Sequence, residues 1–275
     1  MSRVWKLAHN RSIVLSKEAI LMGILNVTPD SFSDGGAYYY IEAAITAARN
    51  MIAQGAHIID VGGESTRPSA KPVDALIEQT RVLPVIRALA DDSNVYLSVD
   101  TYRAETARMA IMAGAHIIND VWGLQQEPDI ANIAKQTGAG LVIMHTGRNR
   151  KRDPDVICDQ QKFFRKSLII ADNANVATKQ IVLDPGFGFA KTLEENIMLM
   201  YRAKELQQFN FPLLAGTSRK QFIGILSGKE KARERDVATT ATSVILRMAG
   251  FDIFRVHNIA LNKEALGIAD AIQIK

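Results

Sequence analysis

The chain has 275 residues, 47% of them hydrophobic, with a formal net charge of +4. That is ample apolar material for one large α/β core, and the dispersed charge suits an enzyme handling anions without by itself pointing to nucleic acid. The lone Cys158 excludes an internal disulfide framework, and no apolar run approaches the roughly 18 residues a membrane span needs.

Residues 1–17 carry Lys6, His9, Asn10 and Arg11 in place of the apolar stretch of a signal peptide. A protein of the cytoplasm, without membrane or nucleic-acid partner, is expected, and Cys158 is read as a passive thiol on a helix. Residues 6–7 and 13–15 flank His9-Asn10-Arg11 and predict a short hairpin plugging the bottom of the fold.

From residue 19 onward, short apolar runs alternate with helical repeats. The runs cover 19–25, 56–61, 95–99, 115–118, 140–144, 180–183, 211–215 and 252–256. They stop at Asn26, Gly62-Gly63-Glu64, Asp100, Asn119-Asp120, His145, Asp184, Gly216-Thr217 and His257. Between them, Ile41, Ala44, Ile45, Ala48, Met51 and Ile52 mark a buried helix face by their spacing, as do Val237, Ala241, Val244, Ile245 and Met248. Strands alternating with helices imply parallel pairing and right-handed crossovers. Eight such units close most naturally into a (β/α)8 TIM barrel, one domain over 1–275 with the hairpin at 1–18. An open doubly wound sheet is the alternative. Its Gly-rich fingerprint is missing from the first turn, Asn26-Val27-Thr28-Pro29-Asp30.

Barrel active sites lie at the C-terminal strand ends, so these polar stops should share one mouth. Asp100, Asn119 and Asp184 suit a flat heterocycle rich in N–H donors. Lys220, Arg255 and His257, with Asn26, make a cationic corner for a phosphate or diphosphate. Two glycine-bearing loops, 27–37 and 62–73, are of the kind that closes over substrates. Each residue also has a plainer reading. A lone Asp after a strand often caps the next helix, Asp184-Pro185-Gly186 is also a turn signal, and His145 reads more readily as a hydrogen-bonded core histidine than as a ligand. Arg219-Lys220 alone would pass for a solvated pair, Asp236 for a helix cap and the basic run 148–152 for a solvated loop. No tight transition-metal cluster, Walker A loop or G-x-S-x-G elbow is present, so no covalent nucleophile is expected.

From about residue 20 to 258 the strand-end strings resemble the dihydropteroate synthase family. The first signature is Met22-Gly23-Ile24-Leu25-Asn26-Val27-Thr28-Pro29-Asp30-Ser31-Phe32-Ser33-Asp34-Gly35-Gly36, and the second Asp60-Val61-Gly62-Gly63-Glu64-Ser65-Thr66-Arg67-Pro68. Ser98-Val99-Asp100-Thr101, Asn119-Asp120, Met144-His145, Asp184-Pro185-Gly186-Phe187-Gly188-Phe189, Ser218-Arg219-Lys220 and Arg255-Val256-His257 follow in order.

The resemblance implies that Asp100, Asn119, Asp184 and Lys220 hold a pterin lined by Met144 and Phe189. It implies a diphosphate corner of Asn26, Arg255 and His257, with Mg²⁺ bound with help from Asn26. Thr66, Arg67, Pro68, Phe189, Ser218 and Lys220 would surround 4-aminobenzoate or a sulfonamide, and Phe32 and Asp34 belong to the first mobile loop. The implied reaction joins 6-hydroxymethyl-7,8-dihydropterin diphosphate to 4-aminobenzoate by an ionisation-first substitution, with Asp100, Lys220, Arg255 and His257 as the catalytic set. A homodimer built through barrel helices is also implied. Asn258, where the family commonly has Asp, and the basic loop after His145 depart from its pattern. A methyltransferase acting between a folate and a corrinoid protein, and a non-catalytic pterin-binding paralogue, are the competing readings. A nucleic-acid-binding role rests only on the pI near 9.1 and that basic run.

Overall fold

The computed structural model describes residues 3–15, 17–28, 37–64, 73–92 and 94–272. A hairpin of β1 (Arg3–Lys6) and β2 (Ser12–Leu15) comes first, turning through His9 and Asn10, both at φ 56°. The barrel strands are β3 (Ile20–Asn26), β4 (Ile58–Gly62), β5 (Tyr96–Asp100), β6 (Ile117–Asp120), β7 (Gly140–Met144), β8 (Ile181–Asp184), β9 (Leu214–Ala215) and β10 (Ile253–Val256). Around them run α1 (Ala37–Ala53), α2 (Ala75–Leu89), α3 (Ala104–Met112), α4 (Asp129–Thr137), α5 (Val156–Asn173), α6 (Leu193–Tyr201), α7 (Gln221–Ser227), α8 (Asp236–Met248) and α9 (Ile259–Ile272).

The strands pair in parallel in the order β8-β7-β6-β5-β4-β3-β10-β9. A parallel bridge between Leu183 and Leu213 joins the two ends. The (β/α)8 barrel is therefore the fold observed.

Side chains alternate across each strand, so every second residue faces the lumen. Ile20, Met22, Ile58, Ile117, Val142, Val182, Leu214 and Ile253 form an inner core distinct from the layer beneath the helices. The hairpin closes that core from below with Trp5, Leu7, Ile13 and Leu15. Gly140 permits its close approach, since a Cβ there would meet Trp5 Nε1 at 3.0 Å. Trp5 is fully buried and donates from Nε1 to the Gln180 carbonyl at 2.7 Å. Trp5→Phe keeps the ring but strands that carbonyl, and should cost about 1–3 kcal/mol in a urea melt. An unchanged midpoint would show that the hairpin does not brace β8.

The helix α1 buries the face its spacing predicts, with Ala44, Ile45 and Ala48 covered. The opposite holds for α8. Val237 is 75% exposed and Ile245 and Met248 are each 51% exposed, whereas Thr239, Thr242, Ser243 and Arg247 point inward. The inward face is satisfied by hydrogen bonds: Thr242 with Thr217, Ser243 with Asn262, and Arg247 with Asp270 and the carbonyls of Phe251 and Lys17. Periodicity identified a stripe, and the polar partners decided which way it turned.

Candidate active site

The lumen alternation that places Ile58, Tyr96, Ile117, Val142, Val182 and Ile253 in the inner core continues toward the C-terminal ends. It brings Asp60, Ser98, Asp100, Asn119, Met144, Asp184 and Arg255 to the same side two or four residues later. An apolar floor thus gives way to a polar ceiling on the same six strands. The strongest contacts there belong to Arg255, whose Nε donates to Asp60 Oδ2 at 2.6 Å and whose NH2 donates to Asp100 Oδ2 at 2.7 Å. Asn119 donates its amide N–H to the same Asp60 oxygen at 3.0 Å, leaving its own amide oxygen as an acceptor. Among the described residues, Asp60 Oδ1 and Ser98 Oγ are buried without a hydrogen-bond partner.

Burial pushes the Asp100 carboxyl up to about 7, against the pull of Arg255 and with help from the charges of Asp60 and Glu78. Burial likewise raises Asp184 to about 6, although Gly186 N–H and Lys220 oppose it. Lys220 is pushed down to about 7, first by burial and then by Arg255. For Arg255, burial works against the charge, but Asp60 and Asp100 outweigh it and hold the guanidinium charged. Near neutral pH Arg255 is therefore a fixed cation of the mouth, beside several groups poised between protonation states.

His257 lies just beyond β10. Burial, then Arg219 and Arg255, push its imidazole down to about 3, so it is neutral. Its Nδ1 is 2.8 Å from Ser218 Oγ, which also accepts from the His257 backbone N–H at 3.1 Å. A Ser218 hydroxyl donating to Nδ1 leaves the proton on Nε2, a neutral donor for an anion. Asn26 is exposed at the end of β3. Its Oδ1 and Asp100 Oδ2 lie 3.7 and 3.6 Å from the point where a Cβ on Gly62 would sit. Both side chains therefore flank the Gly62 backbone at the end of β4.

The outer wall is apolar and aromatic. Met144, Val121 and Phe189 pack together with Tyr102 and Trp122. The Lys220 ammonium lies 3.7 Å from the centre of the Phe189 ring, and the Arg148 guanidinium 5.0 Å from the same centre and 5.6 Å from that of Trp122. The mouth can thus offer a slot walled by rings, acceptors from Asp184 and Asn119, donors from Lys220, and an adjoining anion corner. Two other hollows, between α5 and residues 208–211 and below the barrel by His57 and Lys263, gather no such convergent set.

Of the residues singled out in the sequence, Asn26, Asp100, Asn119, Met144, Asp184, Phe189, Ser218, Lys220, Arg255 and His257 are all at this mouth. Ser218 stands on the anion side, against His257. Phe32, Asp34, Thr66, Arg67 and Pro68 lie outside the described residues.

Several plainer readings also resolve. His145 is a core histidine, fully buried and bonded to Asp159 at 2.9 Å. Asp236 is not a cap. Its carboxylate takes a bidentate grip from Arg219 at 2.6 and 2.7 Å and a bond from Asn258 at 3.2 Å. Arg219-Lys220 is accordingly no solvated pair.

The basic loop is not freely solvated either. Arg148 covers two rings, Arg150 binds Asp159 at 2.6 Å and Arg152 binds Glu195 at 2.5 Å. Asp60 is the residue that the strand-end reading missed. Its signal was a carboxylate inside an otherwise apolar strand, in phase with the lumen.

The family model of pterin binding enzymes matches residues 22–257. A dihydropteroate synthase of Synechocystis sp. is 43% identical over 262 residues, covering 93% of this chain and 91% of the relative. Among solved structures, dihydropteroate synthase of Xanthomonas albilineans with 4-aminobenzoic acid superposes with a TM-score of 0.92 at 36% identity, covering 98% of each chain. The Yersinia pestis dihydropteroate synthase in a sulfonamide drug complex gives a TM-score of 0.88 at 40% identity, covering 96% of this chain and 97% of that one.

Proposed function

Because this chain belongs to the pterin binding enzymes, as a transferase of the dihydropteroate synthase family, we propose that it condenses 6-hydroxymethyl-7,8-dihydropterin diphosphate with 4-aminobenzoate, releasing diphosphate. The observation that carries this reading is the junction of two subsites at one mouth: the Asp100–Asn119–Asp184–Lys220 slot and the Arg255–His257 corner. A molecule with a flat, nitrogen-rich ring one methylene away from a diphosphate spans both.

In this reaction the pterin lies against Met144 and Phe189. Asp184 and the free amide oxygen of Asn119 accept from its ring N–H groups, and Lys220 donates to its acceptors. Arg255 and the Nε2–H of His257 hold the diphosphate and stabilise the charge it gains as the C–O bond breaks. Asp100 faces the methylene cation left behind, and the arylamine nitrogen then bonds to that carbon and gives up one N–H proton to the departed diphosphate. No side-chain nucleophile is needed.

Mg²⁺ typically keeps waters and substrate phosphates as ligands and takes only one or two oxygens from the protein. The exposed Asn26 amide beside Asp100 supplies a suitable oxygen, so the residues present fit a Mg²⁺-diphosphate held with help from Asn26. When bound, the ion would neutralise charge on the leaving diphosphate. Thr66, Arg67 and Pro68 are assigned to the 4-aminobenzoate side, as are Ser218, Lys220 and Phe189, and Phe32 and Asp34 to the covering loop. Sulfonamides would compete there.

The chain is proposed to work in the cytoplasm, where the exposed thiol of Cys158 stays reduced. No described helix is long and apolar enough to cross a membrane. It is further proposed to act as a homodimer. Val237, Ile245 and Met248 on α8, Ile225 and Leu226 on α7 and Ile268 on α9 are all exposed apolar side chains, and helices carrying several of these are where an interface is sought. Ile245→Glu should halve the mass seen by sedimentation equilibrium while leaving pterin binding intact. A wild-type monomer would rule the dimer out.

The direct test mixes the purified protein with both substrates and Mg²⁺, and follows dihydropteroate and diphosphate. Product should require every component and fall when a sulfonamide competes with 4-aminobenzoate. Pterin binding without product would identify a non-catalytic paralogue instead.

A further inference from the structure

The turn after β8 presents Asp184 to the mouth, and its polar backbone groups are individually held. Gly186 N–H donates to Asp184 Oδ1 at 2.7 Å. Gln160 on α5 donates to the Pro185 carbonyl at 3.0 Å, and Gly188 N–H to Asn196 Oδ1 at 2.7 Å. The Gly186 carbonyl accepts from Lys191 Nζ at 2.7 Å. Gly186 sits at φ +63°, and a Cβ there would collide with the carbonyl oxygen of His145. The turn is therefore stacked directly on the end of β7. Asp184, with one oxygen committed to Gly186, directs its Oδ2 toward Gly216 at the end of β9.

Lys191 also lies 2.9 Å from His145 Nδ1. The Asp159 carboxylate only accepts, so the imidazole proton is on Nε2 and Nδ1 accepts from Lys191, although burial pushes that amine down to about 7. That Nε2–H points at Asp159 Oδ2, 2.9 Å away. The nearby Arg150 NH2 directs its hydrogen to the same carboxylate at 2.6 Å. Burial, then the charge of Lys191, hold His145 at about 3, so it remains the neutral middle of the relay. A continuous line runs from Arg150 and Asp159 through His145 and Lys191 to Gly186 and Asp184.

We infer that Lys191 is a positioning residue for pterin recognition: its ammonium ties the Gly186 carbonyl to the His145 ring and so fixes the turn whose N–H aims the Asp184 carboxylate. The inference rests on the proposed role of Asp184 as a pterin acceptor. Lys191 itself touches neither substrate. A residue that sets the angle of a binding carboxylate affects the ring it reads and leaves the separate anion corner alone.

The test is calorimetric titration of wild type, Lys191→Met, His145→Leu and Asp184→Asn with 6-hydroxymethylpterin, and separately with inorganic diphosphate plus Mg²⁺. Lys191→Met should raise the pterin Kd about tenfold or more and leave the diphosphate Kd within about twofold. His145→Leu, which keeps the lysine but removes its second anchor, should move the pterin Kd the same way by less. A pterin Kd unchanged in Lys191→Met overturns the inference, as does equal weakening of both ligands, which would mark a general role in folding. If Lys191→Met does not fold, an unchanged pterin Kd in His145→Leu overturns it instead. Asp184→Asn separates the two levels: normal pterin binding there sinks the site assignment itself.

Discussion

Asp100→Asn is expected to lower turnover by about 10²- to 10³-fold while weakening pterin binding by less than about tenfold. Asparagine keeps the shape and an oxygen acceptor, so ground-state recognition loses little. What it lacks is the negative charge facing the methylene as positive charge develops there, an interaction made only in the transition state. Single-turnover quench experiments alongside equilibrium titration separate the two quantities. Equal losses in rate and affinity would show that Asp100 merely binds the ring.

The same substitution has a signed effect on stability. The folded-state pKa of Asp100 is raised to about 7, against about 3.9 in an unfolded chain. Between those values the folded form holds a proton that the unfolded form has lost, so stability falls as pH rises toward 7. Asp100→Asn removes that decline. Relative to wild type, the variant should gain stability on going from pH 5 to pH 8 in urea melts, and a gap that does not widen would contradict the raised pKa. The residue that drives the reaction is also one the fold would rather have neutral.

Arg255→Met should be the most damaging change to the fold at this mouth. It removes the partner of Asp60, which is fully buried, and of Asp100, only 7% exposed. Deleting one side of a buried pair leaves the remaining charge without compensation, at a cost of about 3–5 kcal/mol. The loss should be largest at pH 8 and shrink toward pH 5 as Asp100 takes up a proton. Diphosphate binding should disappear at either pH. A urea midpoint shifted equally at both would mean that lost packing, not exposed carboxylate charge, is responsible.

The strand rhythm was legible because a strand covered on both faces has to be apolar nearly throughout, and it stops being so where the mouth begins. Its ends were read slightly short. Asp100 and Asp184 still belong to β5 and β8, since ladder hydrogen bonds use the backbone whatever the side chain.

What lay beyond the sequence was the partner of each polar group. Nothing local tells that Thr239 and Ser243 find hydrogen-bond partners inside, which turns the apolar stripe of α8 outward. Nor does the run 148–152 show that Asp159 and Glu195 wait for its arginines. Asp60 hid for another reason: it sits inside a strand, whereas attention falls naturally on the strand ends. Lys191 carries no signal of its role in the sequence, because its partners, the Gly186 carbonyl and His145, are set by the fold.

The pairing of β3 with β10 has a consequence for how the protein is made. On the edge away from β4, residues 20–23 pair with residues 253–256, and the Asp252 carbonyl receives the N–H of Ile20 at 2.9 Å. A chain growing from the ribosome must therefore carry its first barrel strand with one edge unpaired until β10 has emerged, a topology that delays closure and leaves an edge open to wrong partners. The residues that close the ring, Arg255 and His257, are also the ones that answer the carboxylates and receive the anion. A transcript cut short just before them would yield a wall of unanswered acids on an open sheet, so quality control by degradation and loss of activity would fall on the same products.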